Sequence, residues 1–253
     1  MGACLQTGVP DSLRAVMLMS EIEREAWGQL EHSIRTGETA FDHAHGVGVF
    51  AYLQKHPDQR RIFDEAMTAF VSQNSGAVVA AYDFTTFSKV VDVGGGHGAL
   101  MTAILKSSRR TSGVVFDQPS AIDGALRAIE AAELTDRCQC VGGDFFASVP
   151  AGGDAYILAS IVHDWDDDHS IAILRNCRRA MSRGKTLLLV EMVILAGDAP
   201  FFGKLLDLGM LVLTGGRERT ENEYEALLAA ADFRLTRIVP TLSLASVIEA
   251  VAS

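Results

Sequence analysis

Two apolar patterns divide the chain of 253 residues. Up to about residue 85 the apolar positions recur at helical spacing, with methionine frequent among them. Asp11 or Ser12 can cap a helix that begins Ser12-Leu13-Arg14-Ala15-Val16-Met17-Leu18-Met19 and runs on to Leu30. Thr36-Gly37-Glu38-Thr39 is a break. Phe41, Val47, Val49, Phe50, Tyr52 and Leu53 form a second apolar cluster, interrupted by Gly46 and Gly48. Pro57-Asp58 opens a third helix, in which Ile62, Phe63, Ala66, Met67, Phe70 and Val71 stand at helical spacing. This segment reads as a packing layer. Its Met and Phe content also suits a lid over an adaptable apolar pocket.

From Lys89 the pattern changes. Short β-branched or aliphatic runs alternate with helical ones. The strands are Val90–Val93, Val114–Phe116, Cys138–Val141, Ala155–Leu158 and Thr186–Glu191, with Leu235–Val239 and Leu244–Val251 as final candidates. Helices are expected over 99–105, 121–132, 170–181 and 220–231. Such alternation predicts an α/β fold with a mostly parallel sheet covered on both faces. The expected organisation is a helical segment, residues 1–88, followed by a ligand-binding domain, residues 89–253.

Composition narrows the function. A chain with 48% hydrophobic and 21% charged residues can build a sizeable core. Its net charge of -10 repels phosphate backbones, and Arg109-Arg110 and Arg178-Arg179 are isolated pairs, so no nucleic-acid partner is expected. Cys4, Cys138, Cys140 and Cys177 form no C-x-x-C pair, which disfavours zinc and suits a reducing compartment. Neither a membrane-spanning run nor a leader pattern is visible, so a cytoplasmic protein is expected.

The candidate chemistry lies beyond the carboxyl ends of the strands, where open α/β sheets bind ligands. Val93 runs directly into Gly94-Gly95-Gly96-His97-Gly98. Gly94, Gly96 and Ala99 satisfy the dinucleotide pattern G-x-G-x-x-G/A, while Gly94, Gly96 and Gly98 behind Asp92 give G-x-G-x-G. Asp117 stands where an acid can accept both hydroxyls of a ribose, or cap the next helix. Asp144 can accept from an adenine amino group with Phe145 on the ring, or be a turn aspartate. His163, in His163-Asp164-Trp165-Asp166-Asp167-Asp168-His169, can be a general base or a structural histidine. His163, His169 and the acids also admit a metal reading, which their diverging faces disfavour. No metal is expected.

Five motifs in order carry a resemblance. Asp92-Val-Gly-Gly-Gly-His-Gly, Val115-Phe-Asp-Gln-Pro, Gly142-Gly-Asp-Phe-Phe, Ile161-Val-His-Asp-Trp-Asp-Asp and Gly215-Gly-Arg-Glu-Arg-Thr resemble the caffeate/hydroxyindole-type small-molecule O-methyltransferases. These are class I enzymes with a Rossmann-like sheet, dependent on S-adenosylmethionine (AdoMet). The resemblance runs from about Trp27 to the C-terminus. It implies AdoMet over NAD, and methylation of a hydroxyl on an aromatic or polyketide-type molecule. It assigns the cofactor to Asp92, Gly94, Gly96, Asp117, Gln118, Asp144, Phe145 and Ser160. His163 is then the general base, with Glu191 and Glu218 orienting it. Phe63, Met67, Asp164 and Met210 match positions of the acceptor pocket.

Two departures accompany the resemblance. The family often has a lysine four residues before the base, where this chain has Ala159. The family's N-terminal dimerisation region has no counterpart before Pro10, which leaves a homodimer possible by another route. The alternative functions are a relative that binds AdoMet but assists hydroxylation or decarboxylation, and an inactive short form. An NAD-dependent dehydrogenase is the most distant reading.

Overall fold

The computed structural model describes residues 2–6 and 12–253. Asp11 lies outside them. Ser12 does not cap the helix: the N-cap position is Leu13, without a side-chain cap, and the Ser12 hydroxyl accepts from Arg14 N–H at 3.3 Å just ahead of it. Helix α1 (Arg14–Trp27) stops short of Leu30, and α2 (Leu30–Thr36) follows as a separate helix. Gly37 ends α2 in the left-handed region, φ 76°. The second apolar cluster becomes α3 (Ala40–His45), capped by Thr39, and α4 (Val49–Lys55). Helix α5 (Pro57–Ala81) begins at its proline, as the spacing predicts.

The rest alternates. The elements are β1 (Lys89–Val93), α6 (Ala99–Ser107), β2 (Ser112–Asp117), α7 (Pro119–Ala131), β3 (Cys138–Gly142), β4 (Ala155–Ala159), α8 (Asp167–Ala180) and β5 (Thr186–Glu191). Then come β6 (Val193–Ile194), α9 (Phe202–Leu213), β7 (Arg219–Thr220), α10 (Glu221–Ala230), β8 (Phe233–Pro240) and β9 (Ser246–Ala252). The seven-stranded sheet runs β3-β2-β1-β4-β5-β9-β8. Its first five strands are parallel; β9 is antiparallel to both β5 and β8. The final pair departs from the parallel rule because a five-residue connection cannot carry the chain back for a parallel crossover.

Burial on both faces explains the continuous apolar runs. In β5, Leu187 and Leu189 pack with Ile173, Cys177 and Leu228 of α8 and α10. Their neighbours Leu188 and Val190 face the other way, onto Val78 of α5 and Leu100 and Ile104 of α6. The strand order reverses between β1 and β4, which opens a crevice at their carboxyl ends.

Helix α9 has no counterpart in the sequence reading, which draws no element between Glu191 and Thr220. Its Val212 packs with Phe41, Val49 and Leu53, so the N-terminal helices dock on α9 through a core of their own. The two-residue strands β6 and β7 pair in parallel and bring Glu218 back beside the end of β5.

Candidate active site

The glycine turn leaves β1 into the crevice. Gly94 has φ 74°, and a Cβ there would stand 2.4 Å from Ile161 Cδ1. Only glycine fits this backbone without displacing the β4 loop. The Gly94 and Gly95 N–H groups donate to the Phe116 carbonyl. Asp117 does not cap α7. Its Oδ2 accepts from Gly96 N at 2.8 Å and its Oδ1 from Gln118 N at 2.6 Å, so it straps the turn from β2. Asp144 is a turn aspartate by its bond from Phe146 N, and it also lines the crevice. Asp92 is buried, and its Oδ2 has no partner among the described residues. Burial, and then the Asp117 charge, push its carboxyl up to about 7.

The resulting cleft has a volume of about 200 Å³. It is lined by Asp92, Gly94, Gly96, Asp117, Gln118, Asp144, Phe145 and Ser160, and Phe63, Met67 and Asp164 line the same space. Met210 is not among its lining residues; it is buried on α9. Ala159 lines the cleft, so no ammonium enters from that position. Aromatic rings form a wall. Phe50 stacks on Trp165 at 5.6 Å and meets Phe63 edge-on, and Trp165 meets Phe145 and Phe146 edge-on.

His163 sits in a 3₁₀ turn, Val162–Asp164, just past β4. Ser160 enters that turn with φ 54°, unusual for a residue with a side chain. Glu191, at the end of β5, accepts from Ile161 N and Val162 N at 3.0 and 2.9 Å through Oε1. Its Oε2 lies 3.7 Å from His163 Nδ1. Glu218 is closer, with Oε1 2.7 Å from Nδ1. This contact assigns the ring proton to Nδ1 in the neutral form and leaves Nε2 as the free acceptor, 3.7 Å from the Asp164 carboxylate. Burial disfavours the charged imidazole. The carboxylates of Glu191, Glu218 and Asp164 outweigh burial and hold the ring's pKa up at about 10. His169 does not join this group; it pairs with Asp166 at the start of α8.

Arg219 holds these pieces together, and the sequence reading gave it no role. It is fully buried. It donates to the carbonyls of Val162 and Trp165, at 3.0 and 2.9 Å, on either side of His163. It also binds Asp167 through Nε and Nη2 at 3.1 and 2.9 Å. Arg219 therefore ties the start of β7, next to Glu218, to the turn that carries His163. Gly216 allows the close approach, since a Cβ there would fall 2.0 Å from the His163 carbonyl oxygen. Arg219 was visible in the motif Gly-Gly-Arg-Glu-Arg-Thr, yet an arginine in a polar run gives no sign of burial. Arg60 was missed as well. It pairs with Asp64 at 2.8 Å, one helical turn on, and both line the cleft.

Residues 27–234 match the family described as the O-methyltransferase domain. The chain belongs to that family. It is 49% identical over 251 residues to phenazine O-methyltransferase PhzM of Lysobacter antibioticus, covering 99% of this chain and 74% of the relative. It is 42% identical to O-demethylpuromycin-O-methyltransferase of Streptomyces alboniger, covering 98% and 68%. Among solved structures, LaPhzM superposes with a TM-score of 0.97 at 49% identity, over 100% of this chain and 76% of that one. NcsB1 from neocarzinostatin biosynthesis, crystallised with S-adenosylmethionine and 2-hydroxy-5-methyl naphthoic acid, superposes with a TM-score of 0.90 at 33% identity, over 100% and 76%. Membership in the O-methyltransferase family decides for AdoMet over NAD at the glycine turn.

Two substitutions test the geometry. Arg219→Met leaves the carbonyls of Val162 and Trp165 unpaired; it is expected to cost at least about 2 kcal/mol in urea denaturation. Arg219→Lys should recover only part, because an ammonium lacks the guanidinium fork. Gly94→Ala is expected to weaken S-adenosylhomocysteine binding by more than about tenfold in calorimetry, equal to about 1.4 kcal/mol. Wild-type affinity in that variant would contradict the close approach at Ile161.

Proposed function

We propose that this chain transfers the methyl group of AdoMet to a hydroxyl on an aromatic or polyketide-type small molecule, with His163 as general base. The observation that carries the reading is the buried His163–Glu218 contact of 2.7 Å beside a cleft walled by aromatic rings.

The residues present fit the cofactor. A glycine cradle admits no Cβ at Gly94, and Asp92 offers a buried carboxylate oxygen with no partner among the described residues. Asp117 would take the ribose hydroxyls, Asp144 and Phe145 the adenine, and Gln118, Gly96 and Ser160 complete the cradle. When bound, AdoMet supplies an electrophilic methyl on a sulfonium. Phe50, Phe63 and Trp165 would hold a flat acceptor, with Met67 adapting to its outline. A phenol is a poor nucleophile until its proton leaves. His163 takes that proton at Nε2, while Nδ1–H stays on Glu218. Glu191 fixes the turn and offsets the charge gained by the ring. Orientation in the cleft supplies much of the remaining acceleration.

Residues 1–88 act as a lid in this reading, and residues 89–253 as the catalytic domain. The lid is supported by the α5 residues Arg60, Asp64 and Met67 in the cleft lining. A cytoplasmic location is supported by four free cysteines. No described helix is long and apolar enough to cross a membrane.

The test is His163→Ala. Its kcat with a hydroxylated aromatic acceptor such as a phenazinol should fall about 10²–10⁴-fold. Its affinity for S-adenosylhomocysteine should stay within about twofold of wild type. Undiminished turnover would remove His163 as the base.

A further inference from the structure

We propose that His163, Glu191 and Glu218 form a site for a divalent transition metal, and that a zinc ion bound there switches methyl transfer off. The ligand atoms already converge. One nitrogen of His163 and one oxygen from each carboxylate lie within 4.8 Å of one another. Nδ1 stands 2.7 Å from Glu218 Oε1 and 3.7 Å from Glu191 Oε2. Zinc bound by nitrogen and oxygen at about 2.0–2.2 Å places neighbouring ligand atoms roughly 3.3 Å apart. The two separations bracket that spacing.

A second observation points to a cation. Both carboxylates are buried, and Oε2 of each has no hydrogen-bond partner among the described residues. Buried carboxylate oxygens without donors are costly. A dication held by one oxygen of each carboxylate would supply the positive charge that the two acids lack beyond the single ring. Imidazole nitrogen and carboxylate oxygen are both zinc ligands, and three protein ligands leave a fourth position for water. The ligands are braced from behind. Glu191 Oε1 is held by two backbone N–H groups, the Glu218 N–H donates to Asp207, and Arg219 grips the turn on both sides of His163.

The consequence follows from the ring. Metal on Nδ1 of the neutral ring requires the single ring proton to move from Nδ1 to Nε2, by exchange through solvent, with no net proton gained or lost. That nitrogen then cannot accept a proton from the acceptor hydroxyl. Inhibition therefore rests on the proposed base role of His163, whereas metal binding does not.

The experiment titrates the intact chain with Co²⁺ and follows its visible absorption. One equivalent should bind, Zn²⁺ should displace it, and methyl transfer should fall at least tenfold with zinc and return with EDTA. Glu191→Gln and Glu218→Gln should each weaken Co²⁺ binding at least tenfold while still binding S-adenosylhomocysteine. X-ray absorption of the zinc-loaded unsubstituted chain gives a measurement free of variants: one imidazole, otherwise oxygen, and no sulfur. No Co²⁺ uptake, unchanged uptake in both variants, or a zinc spectrum with sulfur or two imidazoles would overturn the site. Activity undiminished by zinc at full occupancy would overturn the switch. His163→Ala separates the two readings. If it keeps full turnover but loses Co²⁺, the metal site stands and the base role falls. If it loses turnover but keeps Co²⁺, the reverse holds.

Discussion

The contact between His163 Nδ1 and the buried Glu218 carboxylate is the constraint on which the site depends. A carboxylate as buried as Glu218 is costly unless a donor meets it. Here the donor is the imidazole itself, so the pair is held in one orientation by the penalty for breaking it. That orientation turns Nε2 away from Glu218 and towards Asp164, a residue of the cleft. The same carboxylates favour the imidazolium, so near neutral pH the unliganded ring carries both protons, and Nε2 is an acceptor only in the fraction that has lost one.

Three separate parts of the chain meet to hold this contact. The β4 turn carries His163, the end of β5 carries Glu191, and Glu218 stands immediately before β7. The sheet places the first two side by side because β4 and β5 are parallel neighbours. The third returns through α9, and the short β6–β7 pairing with Arg219 locks it down. Meanwhile β1 and β2 hold the glycine turn on the far side of the switch point. The two halves of the reaction are thus built on neighbouring strands. The helical segment docked on α9 supplies the remaining wall, through Phe50 and Phe63.

Much of this arrangement was legible in the sequence. The strands of the parallel sheet are buried on both faces, so they appear as unbroken aliphatic runs whose ends locate Asp92, Asp117, His163 and Glu191. Pro57 marked the start of α5 because a proline is preorganised for a first helical turn. The rest depended on tertiary context. Helix α9 begins without a polar cap, and β6 and β7 are only two residues long, so neither has a period to detect. The antiparallel setting of β8 and β9 follows from a short connection rather than from strand composition. Arg219 reads as a surface cation, yet it is buried because backbone carbonyls and Asp167 meet all its donors. Met210 matched an acceptor-pocket position by motif, but its helix turns it into the interior.

Glu218 keeps the ring proton of neutral His163 on Nδ1 and so leaves the Nε2 lone pair free. Nitrogen-15 NMR of the histidine-labelled chain, recorded across the titration of His163, measures this directly. The account predicts that the first proton to leave the imidazolium comes from Nε2, giving the Nδ1–H tautomer. A neutral His163 found as the Nε2–H tautomer would contradict it, because Nε2 would then have no lone pair to accept a proton.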